Sequence, residues 1–253
     1  MVISVSRKGA IELNDKIDLE EVKDKYNQIE NIWSSKDRWH LHTNKKIKSF
    51  LVKNMPKYFH ENSFILNAGS GGNSYDITLR QLHVDIAENK LIDEIEYVVS
   101  DICNMPFEND YFDGCMCVGS VLNYCDLIAA MRELSRVVKT GGYLFLEYES
   151  SKNPEFRGTD IFNANVAICK TFYQGSREKL WVYSPRFFKT VLNDNYLKIL
   201  HEEPFHIASS IAYAILEKEN VSSQFSALDS ILKRLPLIKS YCSNIILICQ
   251  KEA

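Results

Sequence analysis

The chain has 253 residues, with 30 Lys and Arg against 33 Asp and Glu (formal charge −3), and is 45% hydrophobic and 25% charged. That composition supplies the core of one large α/β domain and excludes a disordered low-complexity chain or a protein drawn to nucleic acid by an overall basic field. No stretch of about 18 uncharged apolar residues occurs and the N-terminus lacks a signal-peptide core, so a cytoplasmic protein that does not cross a membrane is expected.

Leu19, Val22, Tyr26, Ile29 and Trp33 fall three or four apart and predict a helix over 19–33. A second is predicted over 44–55, where Ile47, Phe50, Leu51 and Met55 share a face and Pro56 ends it. Trp39, His40, Leu41 and His42 fall between the two, and such a pair of helices either covers a site or packs plainly on a sheet edge. Lys45, Lys46, Lys48, Lys53 and Lys57 read as a solvated helix face or as a local basic patch.

Strands follow at 64–67, 81–84, 96–99, 112–118 and 143–148, with a crossover helix over 126–138 and a turn at Gly141 and Gly142. Strands alternating with helices imply a parallel, right-handed sheet. The stretch 73–79 is too short for the usual first crossover helix, so a short helix or loop is expected there, leaving a pocket mouth open on that side. Further on, Leu180 to Tyr183 form a short apolar piece, Ser184 and Pro185 open a helix to about 192, a strand spans 196–203, a helix 223–235 and a last strand 244–250.

The first strand runs into FILNAGSGG, whose glycines Gly69, Gly71 and Gly72 lack the Cβ that would keep a ligand from the backbone. Asp85 and Asp101 end the next two strands. A dinucleotide fingerprint would place a glycine at Ser74 and its acid about 20 positions on, and Asp85 comes too soon. NAD is therefore disfavoured.

Four pieces in series, FILNAGSGG, LHVDIAENKL, VVSDICNMPFENDYFDGCMCVGSVLNY and LSRVVKTGGYLFLEYE, resemble the class I S-adenosylmethionine-dependent methyltransferases, of the type 11-like kind. The resemblance runs from about residue 64 to 149. It implies a Rossmann-like, doubly wound α/β sheet of seven mostly parallel strands with one antiparallel edge strand. It also implies a single domain in three parts: an N-terminal helical cap (1–58), a cofactor-binding core (59–150) and an acceptor-side insertion that finishes the sheet (151–253). The implied cofactor is S-adenosylmethionine. By resemblance, the turn Ala68, Gly69, Ser70 and Gly71 lies against its methionine part, with Asn67, where the family commonly has an acid, near the amino group. Asp85 would accept from both ribose hydroxyls and Ile86 would pack on adenine, while Asp101 and the Ile102 amide would meet its edge. Gly119 and Ser120 would lie beside the methionine and the reactive methyl. For Asp85 a helix cap, and for Asp101 a turn before Asn104 and Pro106, stand as alternatives.

GSVLNYC lacks both the (D/N/S)PP(Y/F) motif of DNA amino-methyltransferases and the Pro-Cys of cytosine-C5 enzymes. Asn123 and Tyr124 either touch the ligands or cap the crossover helix. Candidate bases are His40, His42, His206, Glu147, Tyr148 and Glu149, with the two glutamates on one strand face and none singled out. Aromatic residues Phe162, Phe172, Tyr173, Trp181 and Tyr183 of an insertion over 160–183 are expected to line an acceptor pocket. The seven cysteines, without a CxxC pair, read as reduced and buried, and no metal is expected. Small-molecule methylation at O, N or C is the first reading; nucleic-acid methylation and a non-catalytic binding protein are the others.

Overall fold

A computed structural model describes residues 17–173, 176–235 and 238–253, with the main chain alone at 172, 176, 219 and 220. The first 16 residues of the cap expected over 1–58 and the Phe172 side chain therefore lie outside the described residues.

Helix α1 (Leu19–Gln28) is capped by the Asp18 carboxylate, and α2 (Arg38–Asn54) by Asp37, which accepts from the His40 amide. Both boundaries differ from the periodicity. In α1 the helix stops at Gln28 because Ile29 turns extended (φ −68°, ψ 118°), and the Asn31 side chain then accepts from the Trp33 amide at 2.9 Å. The cap at Asp37 lets α2 absorb residues 39–42, so Trp39 and Thr43 extend the buried face of Ile47, Phe50 and Leu51.

The apolar runs become β1 (Phe64–Ala68), β2 (Arg80–Asp85), β3 (Tyr97–Val99), β4 (Phe112–Cys117) and β5 (Val138–Glu149), with α3 (Leu127–Val137) crossing between the last two. Residues 71–79 form a loop, as the short count requires. Gly141 and Gly142 are not a turn ahead of β5 but lie inside it, where the register jumps from Phe112 opposite Val138 to Gly114 opposite Tyr143. A hairpin of β6 (Val166–Tyr173) and β7 (Ser176–Tyr183) stands apart from the main sheet. Helix α4 (Pro185–Asp194), capped by Ser184, leads into β8 (Leu197–Phe205).

The region 208–235 departs most from expectation. Instead of one helix over 223–235 there are α5 (Ala208–Leu216), α6 (Glu219–Ser222), a 3-10 stretch and α7 (Asp229–Leu232). The α5 sequence, ASSIAYAIL, has no charged face and so gives no periodic signal. Asp229, which sits in the middle of the expected helix, instead accepts from the Ile207 and Ala208 amides at 3.1 and 2.8 Å and so caps α5.

With β9 (Asn244–Lys251) the main sheet has seven strands in the order β3-β2-β1-β4-β5-β9-β8. β1 to β5 pair in parallel; β9 runs antiparallel to both β5 and β8, so antiparallel pairing is confined to that edge, one strand in from the end. Alternation sends Leu66, Cys115, Cys117 and Leu144 to the α3 side and Ile65, Met116 and Phe145 to the α2 side. Each fully buried large side chain contributes about 1.5–3 kcal/mol. Six of the cysteines, all but Cys103, are buried, and all seven are free thiols. Among the described residues no helix is long and apolar enough to cross a membrane.

Candidate functional site

The carboxyl ends of β1, β2 and β4 meet along one rim. At the end of β1, Gly69 has a φ of +68°, and a Cβ there would come within 2.3 Å of the Val121 side chain. Only glycine permits that turn. Asp85 locks it, accepting from the Gly71 amide at 2.8 Å through one oxygen and from the Ala87 amide at 2.9 Å through the other. Burial pushes the Asp85 carboxyl above its ordinary range, against the pull of those amides. Asp101 accepts from the Cys103 amide at 2.9 Å and turns the chain after β3.

These residues enclose a cavity of roughly 750 Å³ including its mouth. Gly69, Ser70, Gly71, Asp85, Ile86, Asp101, Ile102 and Gly119 all line it. The side expected to stand open is covered: Leu19, Val22 and Tyr26 of α1, Ile32 and Trp33 of the following loop, and Tyr75 form a roof in place of the missing helix.

The remaining three expected residues lie elsewhere. Asn67 is 1% exposed, and its amide donates to the Asn73 carbonyl and to Gln81 Oε1, both at 3.0 Å, tying the 71–79 loop to β2. Ala68 packs in the core with Leu66 and Val84. Ser120, in the left-handed region at φ 62°, lines a second cavity.

That second cavity, about 730 Å³ with its mouth, shares Tyr26, Ile32, Trp33, Gly119 and Tyr124 with the first. Its aromatic character has a different source from the expected one. Of the insertion's aromatic residues with described side chains only Tyr173 faces it; Tyr26, Trp33, Trp39, Tyr124 and Phe156 supply the rest. Alternation along β7 explains this: Glu178 and Leu180 face the cavity, whereas Trp181 and Tyr183 pack against the main core. Phe162 stacks on Tyr241 instead. In the sequence Trp33 reads as part of a helix face, and nothing local marks Tyr75.

The candidate bases separate sharply. Glu147 is fully buried and spent on structure: one oxygen accepts from the Gly119 and Ser120 amides at 3.0 and 2.6 Å, the other from Asn244 at 2.7 Å. Tyr148 is buried on the opposite face, stacked on Phe188 at 3.8 Å. His206 stacks on Trp39 at 4.0 Å, within 2.9 Å of Thr43 Oγ1 and 2.8 Å of Ser209 Oγ, and burial holds it well below the usual imidazole range. His42 lies 3.3 Å from Ser226 Oγ and is lowered by burial and by Lys46.

His40 and Glu149 remain on the wall of the second cavity. His40 is 2.6 Å from an Asp37 oxygen. Glu149 accepts from the Ser120 hydroxyl at 2.8 Å; burial, then the Glu147 carboxylate, pushes its carboxyl up to about 7. Among the described residues no group of three His, Cys, Asp or Glu could hold a metal ion.

A sheet of this strand order, with a glycine turn after β1 and acids at the ends of β2 and β3, defines the class I methyltransferase architecture. Residues 62–146 match the family described as a methyltransferase domain. The chain is similar to a 2-phytyl-1,4-naphtoquinone methyltransferase of Nostoc punctiforme, 23% identical over 117 residues that cover 46% of this chain and 51% of that protein. A demethylmenaquinone methyltransferase of Staphylococcus saprophyticus is 32% identical over 83 residues, covering 32% of this chain and 36% of that protein. The chain thus matches about half or less of the length of these curated relatives. In fold it resembles the geranyl diphosphate C-methyltransferase of Streptomyces coelicolor, solved with S-adenosyl-L-homocysteine, at a TM-score of 0.58 and 12% identity over 92% of this chain and 97% of that one.

Proposed function

We propose that the protein is an S-adenosylmethionine-dependent methyltransferase acting on a small molecule. The observation that carries this reading is the pair of adjoining cavities, one floored by the glycine turn and strand-end acids, the other aromatic, meeting at Gly119. The first suits the cofactor: the glycines leave backbone bare, Asp85 offers two carboxylate oxygens for ribose hydroxyls, and Ile86 and Ile102 offer apolar contact beside Asp101 for adenine. Bound there, S-adenosylmethionine supplies an electrophilic methyl for in-line displacement.

The chain's own task is to hold donor and acceptor in line and exclude water. Trp33 and Tyr26, shared by both cavities, serve that task from above. Asn67 takes no part in ligand contact on this reading; it holds the 71–79 loop. Carboxylates at Glu149 and Glu178 on the second cavity weigh against a phosphate-backbone acceptor, and the quinone substrates named for two of the relatives favour a small one. A third relative, 26% identical over 149 residues, is a probable tRNA methyltransferase of Homo sapiens, and the carboxylates decide for the small acceptor.

Calorimetric titration of S-adenosylmethionine and S-adenosylhomocysteine into wild type and Asp85→Ala tests the reading. We expect wild type to bind both and the variant to bind about tenfold or more weakly, as the loss of charge-assisted hydrogen bonds requires. If wild type binds neither, the methyltransferase reading fails; if the variant binds as well as wild type, only the ribose role of Asp85 fails. Transfer of radiolabelled methyl into small-molecule extract and not into nucleic acid completes the test.

A further inference from the structure

Glu149 lines the second cavity. Its Oε1 accepts from the hydroxyl of Ser120, the residue after Gly119, which lines both. The groups that face it come from five elements: Glu147 from β5, Ser120 from the end of β4, His40 from α2, Cys169 from β6 and Glu178 from β7, with Tyr124 beside them. Two of the nearby charges are matched, and a further carboxylate, Glu155, lines the same cavity. His40 pairs with Asp37, and Glu178 pairs with Lys25 and accepts from the Tyr124 hydroxyl at 2.9 Å. Among the described residues, the Glu149 carboxylate accepts only from Ser120 and forms no ion pair; the charge of His40, held by Asp37, favours its ionised form without touching it. The same cavity is lined by Trp33, Tyr26 and Tyr124, the last two packed edge to face at 5.8 Å.

A half-buried carboxylate without an ion-pair partner, in a cavity lined by aromatic side chains, is a receptor for a cation that brings its own hydrogen-bond donors. We propose, building on the methyltransferase reading, that the methyl acceptor is an arylalkyl-type amine that enters as its ammonium, and that Glu149 is the catalytic base that frees its lone pair. The ammonium gives one proton to Glu149 Oε2. The nitrogen lone pair then forms the new C–N bond to the sulfonium methyl as the C–S bond breaks, and that bond's electron pair stays on sulfur. The product leaves as the methylated ammonium, and Glu149 returns its proton to water. A neutral alcohol would leave the carboxylate unmatched, and an anionic acceptor would be repelled. The pKa that burial and Glu147 impose on Glu149 suits proton exchange near neutrality.

The experiment is calorimetry on the full chain saturated with S-adenosylhomocysteine, using 2-phenylethylamine, 2-phenylethanol and phenylacetate as probes against wild type and Glu149→Gln. We expect the amine to bind wild type about tenfold or more tightly than the alcohol, phenylacetate to bind least, and Glu149→Gln to lose the preference. Because the amine stays an ammonium below the lysine range, its affinity for wild type should rise with pH through neutrality as Glu149 ionises, and should stay flat in Glu149→Gln. The wild-type preference needs no variant to fold. Equal or tighter binding of the alcohol, absence of amine binding, or an unchanged preference in Glu149→Gln overturns the proposal while leaving the cofactor reading intact. Failure of wild type to bind S-adenosylhomocysteine removes both.

Discussion

Glu149 is half-buried with the Glu147 carboxylate close behind it in the same strand, and both raise its carboxyl from 4.5 to about 7. A carboxyl whose pKa is higher folded than unfolded contributes stability that is complete below the unfolded value and is lost as pH rises through the folded one. Glu149→Gln, neutral throughout, should therefore be more stable than wild type at pH 8 by on the order of 1–3 kcal/mol, with the gap closing toward pH 4.5. Urea denaturation at several pH values measures this, and a gap that does not change with pH would mean an ordinary carboxyl. Gly69 gives a second contrast at this scale. Gly69→Ala must adopt φ +68° and displace Val121, whereas Gly141→Ala, at φ +82°, meets nothing within 4 Å. We expect about 1–2 kcal/mol of destabilisation at Gly141 and roughly 1–3 kcal/mol more at Gly69. Equal losses would show that the turn relaxes freely.

Helix α1 forms part of the cavity roof yet has no buried residue of its own. A ten-residue helix in water is marginal, so this one depends on its docking: Lys25 on Glu178, Tyr26 on Tyr124, and Leu19 and Val22 over the cavity. Its amides should exchange with solvent from a low-energy opening, and S-adenosylhomocysteine beneath should slow them while β4 and β5 change little. Hydrogen exchange with and without the ligand reads this directly. Full protection of α1 in the free protein would contradict it. β5 carries the opposite character: its Glu147 holds the β4 end and Asn244 of β9 together, so the floor is set before any ligand arrives.

Both core clusters draw on the same strands, Ile65 and Met116 on one side, Leu66 and Cys115 on the other. The sheet cannot lose one side without exposing the other. From this we expect cap, core and acceptor-side residues to unfold as one cooperative unit, giving a single calorimetric transition. S-adenosylhomocysteine at a hundred times its Kd should add about 2.7 kcal/mol to that one transition. Two transitions, only one of them moved by ligand, would divide the chain into separate domains.

β1 and β4, buried on both faces, read as apolar runs, and with β2, β5 and the short, half-exposed edge strand β3 their order was legible from FILNAGSGG to LFLEYE. The floor of the first cavity was legible too, because a backbone turn that needs glycine and an acid that closes it are local demands. Counting residues between Gly71 and Asp85 was enough to remove the first crossover helix. The roof was not legible: Tyr75 and Trp33 acquire their places only when the 71–79 loop and the chain after α1 fold over the glycine turn. α5 was hidden because its sequence has no charged face to set a period, and its cap, Asp229, comes from far along the chain. Glu147 and Glu149 mark the boundary most clearly. Two residues apart on one strand face, they are equivalent in any local pattern; the tertiary structure alone sets one against the Gly119 and Ser120 amides and leaves the other facing the cavity, because the hydrogen-bond partners of a buried charge are contributed by distant strands.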